Sequence, residues 1–296
     1  MNQRNAVRSW LNAPYPTEVI FVDKVEGEGI EEILEHPQVS VIDVVKRNEN
    51  GVPFINHIFN EASKKARYPI VCYLNADIIL PYAFFLDVEA VYKQVDTNFL
   101  AVGQRLDVDV DQELTYSTDW EKTFWEKHNE VAIHPPTGSD FFVFPKGQYD
   151  LQNMPDLLVG RPGWDLWMIY NARMRSLKAI DLSFSSMVIH QNHDYGHKIS
   201  DEKGRKQEDL YNYRFIPDSL RHKFTLVACD YYYSGKQVKK SYARGDLKKH
   251  INFKIWTNHN LTFMQKLMNK AEYFITKYFK RSFASHPSFP NHVISS

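Results

Sequence analysis

Two oxygen-bearing side chains, Asn75 and Asp77, interrupt the apolar stretch PIVCYLNADIIL at residues 69–80. Residues two apart point to the same side of an extended backbone, so an amide and a carboxylate would face one direction here. Oxygen ligands of this kind hold divalent cations, which can neutralise a diphosphate. The spacing therefore predicts a metal site, although a strand-to-turn boundary, where Asn and Asp are common, gives the same pattern.

A second candidate is Asp165, which follows the segment GRPGW near the start of a predicted helix. The turn-forming sequence favours a carboxylate on an exposed loop, where it could act as a catalytic acid or base. Aspartate is also a common N-cap or first-turn residue of helices. The sequence leaves the catalytic and the structural interpretation open.

Three histidines, His190, His193 and His197, lie in the segment IHQNHDYGH together with Asp194. Imidazole binds divalent metals and carries protons near neutral pH. A helix would place the three rings on one face and could build a zinc site, but HExxH is absent and the preceding SMVI indicates a strand. We expect at least one functional histidine, with a polar loop of exposed histidines as the alternative.

The elements that must position these side chains alternate between strands and helices. Short apolar runs predict strands at EVIFVDK (18–24), VSVIDVV (39–45), PIVCYLNA (69–76), FLAVGQRL (99–106), GSDFFVFPK (138–146) and LKAIDLS (177–183). Helical patterns occupy RNAVRSWLN (4–12), FINHIFNEASKKA (54–66), YAFFLDVEAVYKQV (82–95) and a stretch beginning near Trp164 or Asp165. This alternation predicts an α/β domain with a mostly parallel sheet. Ligands collect at the carboxyl ends of such strands, where Asp23, Asn75 and Asp77 fall.

Charge is balanced over the whole chain, with 36 basic and 36 acidic side chains, but it is not evenly distributed. Residues 236–281 hold twelve Lys or Arg against Asp246 and Glu272. The sheet pattern fades near residue 215, so we predict a domain over 1–215 and a basic, partly helical extension over 216–296. Its amphipathic helix at 261–282 either packs on the domain or lies on an anionic membrane surface.

Several functional classes are excluded or disfavoured by what the sequence lacks. It contains no GxGxxG opening a helix after a strand, no P-loop, no GxSxG and no paired CxxC. These absences disfavour Rossmann dehydrogenases, kinases, serine hydrolases and structural zinc sites. The two cysteines, Cys72 and Cys229, lie far apart and fit a reducing compartment. Neither a secretory signal nor an eighteen-residue apolar window is present, so we predict a cytoplasmic protein, with peripheral contact at the inner face of the membrane.

In their order and spacing, these segments resemble the GT-A superfamily of nucleotide-sugar-dependent glycosyltransferases, closest to the inverting class of bacterial polysaccharide enzymes. The resemblance covers about residues 5–200. EVIFVDK matches the family's strand ending in Val-Asp-Asp, and the stretch from NGVPFINHIF to YLNADIIL matches its strand leading into a DxD-type motif. TGSDFFVFPKGQY resembles the acceptor-side segment, and GRPGWDLWM resembles the helix that bears the catalytic carboxylate.

The resemblance implies a GT-A-like fold and a role for each matching residue. Asp77, with His190 or His193, would hold Mg²⁺ or Mn²⁺ on the diphosphate of a nucleoside-diphosphate sugar. Asp165 would be the general base that activates a hydroxyl of a glycan or glycolipid acceptor. The remaining implied contacts are to substrate: Asp23 to base or ribose, Asn75 beside the metal, Asp140 in the acceptor-side segment, and Trp164 stacked on a sugar face. No nucleic acid partner is expected.

Two departures from the family keep other functions open. The DxD motif reads Asn75-x-Asp77. In the family, a strand precedes the helix that corresponds to residues 4–12, whereas only three residues precede Arg4 here, so the chain is expected to lack that first strand. One alternative is a non-catalytic relative that binds glycans or proteins. The other is a nucleotidyltransferase, which would require a glycine-rich basic loop near the N-terminus.

Overall fold

The computed structural model describes residues 1–22, 29–95, 97–128, 131–193, 208–221 and 223–241. Asp23, Asp194, His197 and the predicted helix at 261–282 therefore lie outside the described residues. Within the described ranges, no helix combines the length and apolar character that crossing a membrane requires.

The α-helices of the described chain largely follow the predicted ones. They are α1 (Asn2–Leu11), α2 (Glu31–Leu34), α3 (Ile55–Lys65), α4 (Tyr82–Val95), α5 (Trp120–Lys127) and α6 (Trp164–Met174). The apolar stripe of α3 is buried through Ile55, Ile58 and Phe59, as its 3.6-residue spacing predicts. Short 3-10 turns follow later in the chain, at Asn212–Phe215, Asp218–Leu220 and Leu226–Ala228.

The strands are short and cover the predicted apolar runs. They are β1 (Val19–Val22), β2 (Val39–Ile42), β3 (Ile70–Leu74), β4 (Ile78–Ile79), β5 (Phe99–Val102), β6 (Arg105–Val108), β7 (Ala132–Ile133), β8 (Phe141–Pro145), β9 (Lys178–Asp181), β10 (Val188–Gln191), β11 (Tyr231–Tyr233) and β12 (Val238–Lys240). The predicted end of the sheet near residue 215 is wrong, because β11 pairs in parallel with β9.

The main sheet has the strand order β12-β11-β9-β5-β8-β3 and is mixed. The pairs β5–β9 and β9–β11 are parallel, whereas β8 runs antiparallel to both β3 and β5. The prediction of a mostly parallel sheet is therefore wrong for the main sheet. An apolar run records that a strand is buried on both faces but not the direction in which it runs.

A second sheet, with the order β4-β10-β6-β7, stands beside the main one, and β1 and β2 form a separate parallel pair. The single strand predicted at 99–106 divides at Gly103 into β5 of the main sheet and β6 of the second. A Cβ atom on Gly103 would lie 2.9 Å from the ring of Phe141. Glycine therefore allows the close crossing that sends one chain segment into two sheets.

Hydrophobic side chains are buried on both faces of the main sheet. On β8, Phe142 and Phe144 belong to the cluster packed by α3 and α6. Phe141 and Val143 belong to the opposite cluster, packed by α1 and α4. Alternating residues of β8 thus anchor both layers of helices, and this packing fixes the strand ends from which the polar side chains project.

Candidate functional site

Asp77 lies in the tight turn between β3 and β4, where its backbone is held firmly. Its carbonyl oxygen accepts a hydrogen bond from the side-chain amide of Gln191 at 2.9 Å. Gln191 is completely buried and also bonds to Asn5 and to the carbonyl of Asn2 on α1. Helix α1 and the end of β10 therefore set the position from which the Asp77 carboxylate projects.

The two histidines reach Asp77 because β10 lies antiparallel to β4, with His190 opposite Ile78. His190 Nε2 is 3.4 Å and His193 Nε2 is 3.0 Å from the same carboxylate oxygen, Oδ2 of Asp77. His190 is buried on the strand, and the side chain of His193 is 34% exposed just beyond it. A strand end, rather than the helical face considered from the sequence, brings these groups together.

The three side chains suit a divalent metal ion. Their ligand atoms all lie within 4.8 Å of one another. Ligands about 2.1 Å from one ion lie roughly 3 Å apart at right angles, which is close to the two Asp77–histidine separations. The other oxygen of Asp77, Oδ1, is buried with no hydrogen-bond partner. A buried carboxylate oxygen without a donor is costly in a folded protein, and a cation beside the carboxylate would offset that cost.

Electrostatics keep the carboxylate of Asp77 ionised. Burial alone would raise its pKa, but hydrogen bonds from His190 and His193 and the charge of His190 outweigh burial and lower the pKa. Asp77 is therefore available as an anionic ligand at neutral pH.

A network of charged side chains surrounds this cluster. Arg105 Nε donates to Asp107 Oδ1 at 2.8 Å, and Arg105 Nη1 donates to Asp140 Oδ2 at 2.6 Å. Asp107 lies beside His190, with 3.1 Å between its Oδ1 and the ring Nδ1, although the orientation is not that of a hydrogen bond. Asp107 and Asp140 thus share the guanidinium of Arg105, and Asp77 adds a third carboxylate on the other side of His190. This excess of negative charge favours a bound cation.

Asn75 and Asp140 are partners of each other. The Asn75 side-chain amide donates to Asp140 Oδ1 at 2.8 Å, and the Asn75 backbone N–H donates to the Asp140 carbonyl at 3.2 Å. These bonds tie the end of β3 to the residue that enters β8. Asn75 is consequently not part of the three-residue cluster of Asp77, His190 and His193. Together with Asp140 it forms the wall of the site next to that cluster.

Asp165 occupies the first turn of α6, two residues after Gly163, whose φ of 96° lies in the left-handed region. Burial raises the pKa of Asp165 to about 6; backbone N–H groups at the helix start, that of Leu166 first, act in the opposite direction, and the charge of Asp140 adds to the rise. A Cβ atom on Gly138 would lie 3.4 Å from Asp165 Oδ2. Asp165 is therefore close to the polar network and has a pKa suited to proton transfer.

Trp164 is buried against aromatic side chains of the main sheet. It is 7% exposed, and its ring packs against Tyr73 at 5.1 Å and Phe142 at 4.7 Å between centroids. So small an exposed fraction argues against the predicted stacking of a sugar on this ring. We assign Trp164 to the packing that fixes the start of α6.

Five of the predicted site residues lie together at one edge of the sheets: Asp77, His190, His193, Asp140 and Asn75. Arg105, Asp107 and His134 belong to the same network but were not predicted; His134 Nδ1 lies 3.0 Å from Asp107 Oδ2. A signal was available in RLDVDV, where charged and apolar residues alternate with the period of a strand and so place residues 105 and 107 on one side.

Comparisons with known proteins include a distant structural likeness. No protein-family model matches the chain, and no curated protein does. Among solved structures, the chain aligns with the mannosyltransferase PcManGT from Pyrobaculum calidifontis in complex with GDP-Man and Mn²⁺. The TM-score is 0.40 at 14% identity, and the alignment covers 95% of this chain and 84% of that chain. A likeness this distant does not assign an activity.

Proposed function

We propose that the chain is a metal-dependent glycosyltransferase that moves a sugar from a nucleoside diphosphate to a hydroxyl acceptor with inversion. The observation that carries this proposal is one juxtaposition. A cluster of one carboxylate and two imidazoles lies beside a network of carboxylates, and the raised-pKa carboxyl of Asp165 stands next to that network. Transfer from a diphosphate to a hydroxyl requires these two components, a cation for the leaving group and a base for the nucleophile.

Asp77, His190 and His193 would hold the metal ion, which when bound supplies positive charge to the departing diphosphate. Mixed nitrogen and oxygen ligands suit a transition ion better than Mg²⁺, which prefers oxygen. Between the two ions that the sequence leaves open, the ligands therefore favour Mn²⁺. We expect Mn²⁺ to support faster transfer than Mg²⁺ at equal concentration, measured as nucleotide release; equal rates would contradict this assignment.

Asp165 would act as the general base. Its carboxylate takes the proton of the acceptor hydroxyl, the acceptor oxygen forms a bond to the anomeric carbon, and the bond from that carbon to the diphosphate oxygen breaks. The electron pair of the broken bond leaves with the diphosphate. Attack from the side opposite the leaving group inverts the anomeric centre in one step.

The other predicted contacts complete the proposal. Asp23 would bind the base or ribose, and Asn75 with Asp140 would form the wall between metal and acceptor. The acceptor would be a glycan or glycolipid, approached at the inner face of the membrane by the basic residues 236–296. Co-sedimentation with anionic liposomes, with and without those residues, tests the membrane contact; equal sedimentation would remove it from the proposal.

The function is tested with a panel of UDP-, GDP- and dTDP-sugars in the presence of Mn²⁺. We expect thermal stabilisation by one nucleotide class and sugar transfer to an acceptor. The Asp165→Asn variant should bind that donor normally but lose transfer about 10²- to 10⁴-fold. Absence of stabilisation by every nucleotide would favour the non-catalytic binding protein. Release of pyrophosphate from a nucleoside triphosphate and a sugar phosphate would favour the nucleotidyltransferase.

A further inference from the structure

The turn that carries Asp165 into the site requires support from outside. It spans residues 158–163 and contains two glycines in the left-handed region, Gly160 with φ of 65° and Gly163 with φ of 96°. Glycines of this kind leave a backbone free to adopt many conformations. Because α6 begins at this turn, any shift in the turn moves the carboxyl of Asp165.

Asn212 binds the backbone of this turn at three points. Its Oδ1 accepts from the Leu158 N–H at 2.8 Å, and its Nδ2 donates to the carbonyls of Leu158 and Arg161 at 3.0 Å each. Asn212 is completely buried, so water does not compete for these bonds. A single side chain thereby fixes both ends of a four-residue backbone segment.

Glu208 holds the same turn through its only arginine. Glu208 Oε2 accepts two charge-assisted hydrogen bonds from Arg161, from Nε at 2.8 Å and from Nη2 at 2.6 Å. Glu208 Oε1 accepts from Asn48 at 2.9 Å and Asn50 at 2.8 Å. The carboxylate is 8% exposed and joins the turn to the loop that precedes α3.

Tyr213, next to Asn212, packs against the glycine at which α6 begins. A Cβ atom on Gly163 would lie 3.0 Å from the Tyr213 ring. The carbonyl of Tyr213 in turn accepts a hydrogen bond from Arg221 Nε at 3.3 Å. The segment 208–213 therefore contacts the side chain of Arg161, the backbone of Leu158 and Arg161, and the glycine that starts α6.

We propose that Glu208 and Asn212 are positioning residues, which fix the turn 158–163 so that the carboxyl of Asp165 faces the acceptor hydroxyl. The proposal rests on the proposed function, since it presumes that Asp165 is the base. Neither residue contacts the cluster of Asp77, His190 and His193. Substitution of Glu208 or Asn212 should therefore change the rate of transfer and not metal binding. Small displacements of a catalytic group lower the rate without weakening the binding of the donor.

The test is the isosteric variant Glu208→Gln, which replaces one charged acceptor of Arg161 by an amide. We expect kcat to fall about 10- to 100-fold, while KM for the donor and the affinity for Mn²⁺ stay within about twofold. The matched control is Glu18→Gln. Glu18 also accepts a hydrogen bond from the side chain of an arginine, Arg67, at 2.9 Å, and its side chain is similarly shielded from solvent. It lies just before β1, away from the site.

Two results would overturn the proposal. One is a kcat of Glu208→Gln within about twofold of wild type, accompanied by a loss of thermal stability like that of Glu18→Gln. The other comes from the ¹³C signal of the Asp165 carboxyl, assigned with Asp165→Asn, whose titration midpoint we expect to move in Glu208→Gln. An unchanged midpoint would show that the turn does not depend on Glu208. Because that measurement needs no turnover, it tests the positioning even if the wild-type protein transfers no sugar.

Discussion

A single carboxyl, that of Asp165, links the proposed chemistry to pH. Burial raises its pKa to about 6, and the charge of nearby Asp140 contributes to the rise. A general base acts only when ionised, so kcat should increase with pH through about 6 and level off above about 7. The measurement is a pH–rate profile with both substrates and Mn²⁺ saturating. A rate that is constant from about pH 5 to 7.5, or that falls with rising pH, would contradict the assignment.

The same carboxyl should also change the free energy of unfolding. Its pKa is raised from 3.8 to about 6 on folding, so the folded state binds more protons than the unfolded state between those values. Stability from this group therefore falls as pH rises through that window. We expect Asp165→Asn to be more stable than wild type by about 1–2 kcal/mol at pH 7, with the gain absent near pH 4. Urea unfolding at both pH values measures this difference. An equal difference at both would show that the raised pKa of Asp165 is not its cause.

At the scale of elements, the crossing of the chain at Gly103 places β6 in the second sheet and Asp107 beside His190. A methyl group added to Gly103 would lie 2.9 Å from the Phe141 ring and 3.3 Å from the Ser183 nitrogen. We expect Gly103→Ala to lower the free energy of unfolding by about 1–3 kcal/mol because the buried ring has no room to move. Denaturant unfolding measures the loss.

The control for this prediction is the same substitution in a Phe141→Leu background, where the clash with the ring is smaller. The loss caused by Gly103→Ala should then shrink by a measurable interaction energy. An identical loss in both backgrounds would show that the ring is not the obstacle.

The elements also show what the sequence could predict. Helix α4 has the predicted bounds, 82–95, because its apolar pattern and the preceding Pro81 define it locally. The direction of β8 and the division at Gly103 were not predictable, since both depend on partners distant in the chain. The same limit applies to the site: Asp77 and His190 could be named from their types, but the antiparallel pairing that joins them could not.

At the scale of the whole molecule, two groups far apart in the chain must act on one substrate. Asp77 lies in the turn between β3 and β4, beside His190 on β10 of the second sheet, whereas Asp165 lies at the start of α6, which packs on the main sheet. Asp140 is bound to Asn75 and Arg105, and its charge contributes to the raised pKa of Asp165. The proposed activity depends on this arrangement of the two sheets.

The most direct test is the ¹³C NMR spectrum of aspartate-labelled protein during titration with Mn²⁺, a paramagnetic ion that broadens the signals of nearby nuclei. We expect the Asp165 carboxyl signal, assigned with Asp165→Asn, to broaden as Mn²⁺ binds. We expect no broadening with Mg²⁺, and none with Mn²⁺ in the Asp77→Ala variant. If the Asp165 signal stays sharp at saturating Mn²⁺, the metal ion and the proposed base are too far apart to act on one substrate, and the proposed function is contradicted.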